Sequence, residues 1–295
     1  MRKISNTYRV FNAFNLGVLL VFTFLCLYPF YYMLIYTLSD PLESMKGIAF
    51  LPRNITLSNY DKVFRLQSIP QAALISVFRT VFGSLATLLC SSFFAYLVSK
   101  PQMYFRKIIY RGTIITMYIS GGLIPTFLTI SFYGLRNSLL VYLLPSLIAA
   151  YYVVLIKTFI ESIPGSLEES ATIDGAGIIK CWWFIIFPLS KPISATILVF
   201  AMVGHWNSWF DAHIYMSNAH LHPLSYILYK YLQESSTIAK LVAQLNKNAA
   251  FNAITLTPES VRMTITAVVT IPILIVYPFM QRFFVKGIMM GAIKG

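Results

Sequence analysis

Residues 163–189 combine acidic side chains with signals for starting and stopping a helix. Ser166 and Glu169 have the spacing of a capping box, so a helix is expected to begin there. Gly175 can supply the left-handed turn that ends this short helix, and Pro188 marks the approach to the next apolar run. A short helix is marginal in water by itself, so it must dock on its own chain or on a partner. A helix lying on the membrane fits its acidic residues poorly, because the inner leaflet attracts basic segments.

No catalytic or metal-binding set accompanies this segment. His220 and His222 lack a nearby cluster of Cys or carboxylate residues, so we predict no metal site. Cys26, Cys90 and Cys181 are far apart and indicate neither a disulfide framework nor a zinc site. The sequence has no Gly-Lys dipeptide and therefore no phosphate loop of the Gly-x-x-x-x-Gly-Lys type. These features predict a protein that is not an enzyme and holds no cofactor of its own.

The rest of the chain is too apolar for a soluble protein. Of its 295 residues, 57% are hydrophobic and only 11% are charged, whereas a soluble domain has about 25% charged residues. The same numbers exclude a disordered chain. The formal net charge of +13 comes from basic residues scattered singly and in pairs, without a basic stripe, which argues against nucleic acid as a partner. The composition predicts an integral membrane protein in contact with lipid.

Six apolar stretches are long enough to cross a bilayer as helices. Their apolar runs are continuous and do not alternate, which favours helices over a transmembrane barrel. The predicted fold is all-α, a single transmembrane domain 1–295 with a cytoplasmic loop 161–191. The predicted spans are 10–38, 72–99, 110–133, 137–160, 192–215 and 263–284. The uncharged stretch Ala212–Tyr229 contains histidines and Pro223, and we expect a loop with interfacial pieces there.

The distribution of Lys and Arg predicts the orientation. Short segments beside the spans are dense in basic residues at both chain ends, between the second and third spans, and in loop 161–191. The basic residues of the other side are spread over two long loops, Asp40–Gln71 and roughly Asp211–Arg262. By the positive-inside rule, both termini and loop 161–191 are expected in the cytoplasm.

The acidic segment resembles the "EAA" loop of ABC importer permeases. It reads Glu169-Ser170-Ala171-x-x-Asp174-Gly175-Ala176, and Phe187-Pro188 follows at the distance typical of that loop. Ser170 stands where the usual form has Ala, and Phe187 stands where it has Leu. The spacing matches throughout, so both departures leave the resemblance intact.

Other segments are similar to the maltose-type sugar permeases. They are Trp206–Phe210, Pro278–Gly287 and Gly291–Gly295. Gly121–Pro125 looks like the branch of that family that handles complex oligosaccharides. The resemblance therefore extends over most of the chain.

The resemblance implies an assembly of several chains. This chain would be one half of a heterodimeric permease, with a second, homologous permease subunit as its partner. An extracytoplasmic sugar-binding protein would deliver the carbohydrate, expected to be an oligosaccharide. Two separate ATPase subunits would bind ATP and Mg and drive alternating access. The complex would lie in a bacterial inner or plasma membrane as a multi-pass protein.

The resemblance also assigns roles to the acidic loop, which would couple the permease to the ATPase. The residues expected to do so are Glu168, Glu169, Ala171, Asp174 and Gly175. Glu169 is the strongest candidate for pairing with the ATPase, although its side chain could instead satisfy only the start of its own helix.

A second set of residues could line the substrate path. Trp206, Asn207 and Trp209 lie near the outer end of the fifth span, where the two Trp rings could stack on sugar rings or simply belong to the aromatic belt of the membrane. Gly121 and Gly122 could break the third span beside the path, as in many transporters, or allow close helix packing.

Arg79 has two interpretations. It could mark the outer boundary of the second span, where an Arg can snorkel to the interface. It could also face the sugar path and hold an acidic sugar by two hydrogen bonds.

Two other classes of protein remain as alternatives. An ion-coupled secondary transporter would place carboxylates inside the spans, yet Asp and Glu are absent from the six uncharged runs, the fifth of which ends at Phe210. A membrane scaffold without transport activity is the other. Co-elution with an ATPase chain would support the importer alone.

Overall fold

The computed structural model describes residues 6–47, 50–66, 68–233 and 257–292. Over these residues the chain is helical and contains no strand, as predicted. The α-helices are α1 (Asn6–Leu38), α2 (Pro41–Ser44), α3 (Ser58–Phe64), α4 (Ser68–Ser99), α5 (Arg106–Tyr118), α6 (Leu123–Phe132), α7 (Ala150–Ile160), α8 (Ser166–Ile173), α9 (Ile178–Cys181), α10 (Phe187–Leu189), α11 (Lys191–Asn207), α12 (Phe210–Tyr215), α13 (Leu224–Gln233) and α14 (Pro258–Ala292). A π-helical turn, Trp182–Ile186, joins α9 to α10, and 3₁₀ turns lie at Leu139–Tyr142, Leu144–Ser146 and Ala219–Leu221.

Within the described residues, three helical stretches are by themselves long and apolar enough to cross a membrane. They are Val10–Leu38, Ser68–Ser99 and Pro258–Pro278. Three further candidates are pairs of helical segments bent at a short break. The bends are 119° between α5 and α6, 46° between Leu139–Ser146 and α7, and 85° between Ile178–Leu189 and α11.

The stretch predicted as span 110–133 is not one helix. It breaks between Tyr118 and Leu123, where Gly122 has a φ of +85° that residues with a side chain rarely adopt. No atom lies within 4 Å of the position that a Cβ on Gly121 or Gly122 would occupy. Of the two interpretations of these glycines, the structure therefore shows a helix break, and it shows no close packing within the described chain.

The stretches predicted as spans 137–160 and 192–215 are also interrupted. The first begins with two 3₁₀ turns, because Pro145 has no N–H to continue an α-helical ladder. The second ends its helix at Asn207, and Ser208 is extended. The Ser208 carbonyl accepts hydrogen bonds from Arg79 Nη1 at 3.0 Å and from Ser225 Oγ at 2.7 Å. These bonds hold the carbonyl outside the helical ladder.

The described residues fall into two compact units. The first comprises described residues of 1–66 and 230–271. In it, the buried Asn59 side chain donates two hydrogen bonds of 2.9 Å to the carbonyls of Thr37 and Ser39, which fixes α3 against the end of α1. Asp40 caps α2 by accepting from the Leu42 N–H at 2.9 Å.

The second unit, described residues of 67–229 and 272–295, contains the larger apolar core. Helix α4 packs against α7 and α11. The buried side chains between them include Leu88, Tyr96, Val153, Ile156 and Ile197. Trp182 and Ile186 of the π turn join the same core, so the end of loop 161–191 is anchored in it.

Candidate functional site: a cavity beside Arg79 and the α8 helix

A cavity of about 510 Å³ lies inside the second unit, within the size range of small-ligand sites. It lies among α4, α6, the 3₁₀ turns, α7, α11 and α12. Its polar lining consists of Arg79, Thr87, Thr126, Tyr142, Ser146, Tyr151, Tyr152, His205, Ser208, Asp211 and Tyr215. Tyr151, Tyr152 and Tyr215 supply flat apolar faces together with hydroxyl groups, whereas Tyr142 is buried and its hydroxyl donates to the Leu221 carbonyl. Such a surface suits a polar ligand rich in hydroxyl groups.

Arg79 and Asp211 form an ion pair in the wall of this cavity. Arg79 Nη2 lies 2.5 Å from Asp211 Oδ2, and Nη1 lies 3.2 Å from Oδ1. The Arg79 guanidinium carbon also lies 4.3 Å from the centre of the Tyr142 ring. Arg79 is only 1% exposed, so it does not snorkel to the interface as the boundary interpretation required. Its charge is neutralised inside the protein.

His205 brings α4, α11 and the second 3₁₀ turn together beside the same cavity. Its Nε2 lies 3.4 Å from Thr87 Oγ1 and 3.5 Å from Ser146 Oγ. The ring lies against Gly83, where any side chain would collide with it. His205 is therefore a buried residue held by hydrogen bonds at a helix crossing.

The other predicted path residues lie outside the wall of this cavity. Trp206 lines a separate apolar cavity of about 330 Å³ between α4, α11 and α14. Trp209 stacks on Tyr229, with ring centres 3.8 Å apart and planes 14° apart. Asn207 is exposed at the end of α11, and Gly121 and Gly122 are exposed at the break before α6. Of the predicted set, the structure places only Arg79 in the cavity.

His220 and His222, for which the sequence predicts no metal site, have hydrogen-bond partners in the second unit. His220 Nδ1 lies 2.8 Å from Gln71 Oε1, and the Gln71 amide donates to the His220 carbonyl at 3.1 Å. His222 is buried with its Nε2 3.3 Å from the Met216 carbonyl. Within the described residues, no group of three or more His, Cys, Asp or Glu could hold a metal ion.

Helix α8 begins and ends close to the predicted positions, but its N-cap is not the predicted one. It begins at Ser166 with Gly165 as its N-cap, and no side chain caps it. The predicted capping box of Ser166 and Glu169 is therefore wrong, because Ser166 already lies within the first turn. Its carbonyl instead accepts a hydrogen bond from Ser170 Oγ at 2.9 Å.

The end of α8 is a Schellman motif. The Gly175 N–H donates to the Thr172 carbonyl at 3.0 Å, and the Ala176 N–H donates to the Ala171 carbonyl at 2.9 Å. Gly175 has a φ of +84°, which confirms the predicted left-handed turn. Asp174, the last residue before this glycine, is exposed.

The two glutamates of α8 point to different surroundings. The Glu168 side chain is half-buried and accepts hydrogen bonds from the Tyr96 hydroxyl and the Lys100 ammonium group. Ala171 packs against the core of the second unit. Glu169 is exposed, one residue further along the same helix. Helix α8 thus docks on its own chain through one side and leaves Glu169 and Asp174 open.

Sequence reasoning missed several residues of these two sites. Asp211 is the only acidic residue between Asp174 and Glu234, and Arg79 is the only charged residue between Arg65 and Lys100. Two isolated opposite charges in apolar surroundings are a signal for pairing that was available in the sequence. Tyr96 and Lys100 gave no such signal, because a Tyr and a Lys at the end of a span are ordinary interface residues.

Known proteins match this chain along nearly its whole length. It is 33% identical over 289 residues to the polygalacturonan/rhamnogalacturonan transport system permease protein YtcP of Bacillus subtilis strain 168, which covers 97% of this chain and 99% of that protein. It is 32% identical to the protein LplC of the same strain, over 97% of this chain and 96% of LplC. No family model matches the chain.

A solved structure shows the same fold. The crystal structure of a bacterial ABC transporter involved in the import of the acidic polysaccharide alginate contains a chain that superposes with a TM-score of 0.88. The two chains are 29% identical, and the match covers 96% of this chain and 100% of the other.

A chain that is helical over its described residues, has apolar helices long enough to cross a membrane and matches these relatives is a transport permease. The chain belongs to the permease subunits of binding-protein-dependent ABC sugar importers. The predicted class is confirmed, and the ion-coupled alternative is not favoured. The protein is a permease subunit of the bacterial cell membrane and not an enzyme.

Proposed function

We propose that this chain is one half of a heterodimeric permease that imports oligosaccharides containing uronic acids. Two full-length similarities support this substrate class, since one relative is named for polygalacturonan and rhamnogalacturonan and the matched structure belongs to an alginate importer. The cavity of the second unit supports a sugar as the substrate, because tyrosines and hydroxyl groups line it, whereas the acidic class of sugar rests on these two similarities.

The charge of the cavity limits what this half can recognise. Its two charged residues, Arg79 and Asp211, neutralise each other. We therefore propose that this chain contacts sugar rings and hydroxyl groups, while carboxylates are recognised by the second permease subunit or the binding protein. Arg79 belongs to the path as a residue that shapes its wall. Gly121, Gly122, Trp206, Asn207 and Trp209 remain predicted path residues for other states of the cycle.

The proposed topology has six spans: the three continuous stretches, α5 with α6, Leu139–Ser146 with α7, and α11 without the preceding segment Ile178–Leu189. Both termini and loop 161–191 face the cytoplasm in this arrangement. The positive-inside distribution and the apolar helical stretches support it.

Helix α8 is the proposed contact with an ATPase subunit. Exposed Glu169 and Asp174 would meet the ATPase, while Glu168, Ala171 and Gly175 hold the helix in place. Two ATPase subunits bind ATP and Mg, and their closure moves α8 and turns the cavity outward. The exposed acidic side of a helix that is docked on its own chain supports this role.

Reconstitution tests the proposed substrate. The chain is co-expressed with the partner permease, the ATPase and the binding protein of the same importer, and the complex is placed in proteoliposomes. We expect ATP-dependent uptake of oligogalacturonides to exceed uptake of neutral oligosaccharides of equal length. Faster uptake of the neutral sugars would contradict the acidic substrate, and uptake without ATP would contradict the importer.

A further inference from the structure

Arg79, in the first half of α4, and Lys100, directly after its last residue, each belong to a long-range ion pair. Six ion pairs between described residues differ in sequence separation, and four of them join residues three or four positions apart. The other two are Arg79–Asp211 and Lys100–Glu168, with separations of 132 and 68 residues. Arg79 lies in α4, and Lys100 follows its last residue.

The Lys100–Glu168 pair is extended by Tyr96. We name the contact of Tyr96, Lys100 and Glu168 the Glu168 clasp. The Tyr96 hydroxyl donates to Glu168 Oε1, and the Lys100 ammonium group donates to Oε2. The Lys100 nitrogen also lies 4.4 Å from the centre of the Tyr96 ring. Tyr96 is 1% exposed and packed in the core, so its hydroxyl has a fixed position. Hydrogen bonds to an ionised carboxylate are about twice as strong as neutral ones.

The Arg79–Asp211 pair connects the same helix to the cavity wall. Arg79 bonds both Asp211 and the Ser208 carbonyl, at the break between α11 and α12. From Arg79 to Lys100 an α-helix rises about 32 Å, at about 1.5 Å per residue. The other candidate spans that begin and end inside the second unit are bent pairs, whereas α4 is continuous.

We infer that α4 transmits the position of α8 to the sugar cavity, and that Glu168 is the positioning residue that attaches α8 to it. This inference rests on the proposed function of α8. A displacement of α8 would pull on a buried tyrosine and a lysine at one end of a continuous helix. Earlier in the same helix, Arg79 holds the cavity wall through Asp211 and the Ser208 carbonyl. Glu168 thereby acts inside the chain, whereas Glu169 faces outward.

The test measures transport per ATP hydrolysed by the complete importer in proteoliposomes. The variants are Glu168→Gln, Tyr96→Phe and the exchanged pair Glu168→Lys with Lys100→Glu. The matched control is Glu161→Gln, because Glu161 is an exposed carboxylate at the start of the same loop and pairs with Lys157 of α7. Co-purification of the ATPase with each variant reports assembly separately.

We expect Glu168→Gln and Tyr96→Phe to assemble with the ATPase but to lower uptake per ATP by about tenfold, as expected for a lost charge-assisted hydrogen bond. The exchanged pair should recover at least about half of the loss, because it restores opposite charges at the same two positions. The control should match the original protein. Recovery of uptake by the exchanged pair would not be expected if Glu168 only filled space in the fold.

Three results would overturn the inference. They are unchanged uptake per ATP in Glu168→Gln, failure of the exchanged pair in an assembled complex, and loss of ATPase co-purification in Glu168→Gln, which would make Glu168 a partner contact. Failure of the proposed function looks different, because the unaltered complex would then show no ATP-dependent uptake.

Discussion

The imidazole of His205 lies directly against the backbone of Gly83, at the crossing of α11 and α4. A Cβ added to Gly83 would stand 2.6 Å from His205 Cε1 and 2.8 Å from Nδ1. Real Cβ atoms do not approach other atoms so closely, so the two helices or the ring would have to move. The absence of a side chain at position 83 therefore allows His205 to reach Thr87 and Ser146.

Gly83→Ala should destabilise the second unit for this reason. Overpacking of a tight crossing costs about 1–3 kcal/mol. The measurement is the apparent melting temperature of the purified complex. Gly112→Ala is the matched control, since no atom lies within 4 Å of its added Cβ and it also lies inside a helix. A melting temperature for Gly83→Ala equal to that of the control would show that His205 moves aside freely.

Arg79→Gln should reduce uptake of neutral and acidic oligosaccharides in equal proportion. The substitution leaves Asp211 without its cation, and breaking a fully buried pair costs about 3–5 kcal/mol. We expect a smaller cost, about 1–3 kcal/mol, because the Asp211 side chain is 23% exposed. Adding Asp211→Asn should recover part of the loss. The measurement is uptake of both sugars at equal expression.

The control for Arg79 is Arg65→Gln. Arg65 pairs with Asp61 at the surface, where both side chains are more than half exposed, so its loss should have little effect. A loss for Arg79→Gln that is confined to acidic sugars would show instead that Arg79 binds the substrate carboxylate.

Gly175→Ala should weaken the end of α8, whereas Gly177→Ala should not. Gly175 has a φ of +84°, and an L-residue in that conformation costs about 1–2 kcal/mol. Gly177 has a φ of −75° and open space around its Cβ position. Sugar-stimulated ATP hydrolysis by the reconstituted complex measures the effect. Equal activity in both variants would mean that the turn after α8 carries no strain.

Glu169→Lys should dissociate or uncouple the ATPase without destabilising the permease. Glu169 is exposed, so reversing its charge alters the proposed contact surface and leaves the core of the second unit intact. Co-purification and sugar-stimulated ATP hydrolysis are the measurements. Glu161→Lys serves as the control on the same loop. Normal stimulated hydrolysis by Glu169→Lys would remove this residue from the contact.

Local sequence signals predicted much of the helical structure. The apolar runs gave α1 and α4 nearly to their ends, and Gly175 gave the left-handed turn after α8. The 3₁₀ turns before α7 were not predicted, because hydropathy does not distinguish them from an α-helix. The capping box was wrong because the helix begins one residue earlier than it requires: Gly165 is the N-cap, and Ser166 is already the first helical residue.

The candidate sites depend on long-range contacts that local patterns do not contain. The pairing of Arg79 with Asp211 and the clasp between Lys100 and Glu168 follow from the packing of α4 in the second unit. Glu168 and Glu169 are adjacent and chemically equal, so the sequence could not decide which of them faces the chain. Their difference is a matter of helical phase relative to the core.

The ion pair of Arg79 and Asp211 has a consequence for how the protein is inserted into the membrane during its synthesis. The 132 residues that separate them take roughly 7–26 s to synthesise at about 5–20 residues per second. Helix α4 is therefore made and offered to the insertion machinery long before its counter-ion exists. A lone arginine in a span costs about 2.5–3.5 kcal/mol on insertion scales. Until Asp211 has been synthesised, the Arg79 charge must stay at the bilayer surface, in water or against the insertion machinery. The final position of α4 in the membrane therefore depends on synthesis of the second half of the chain.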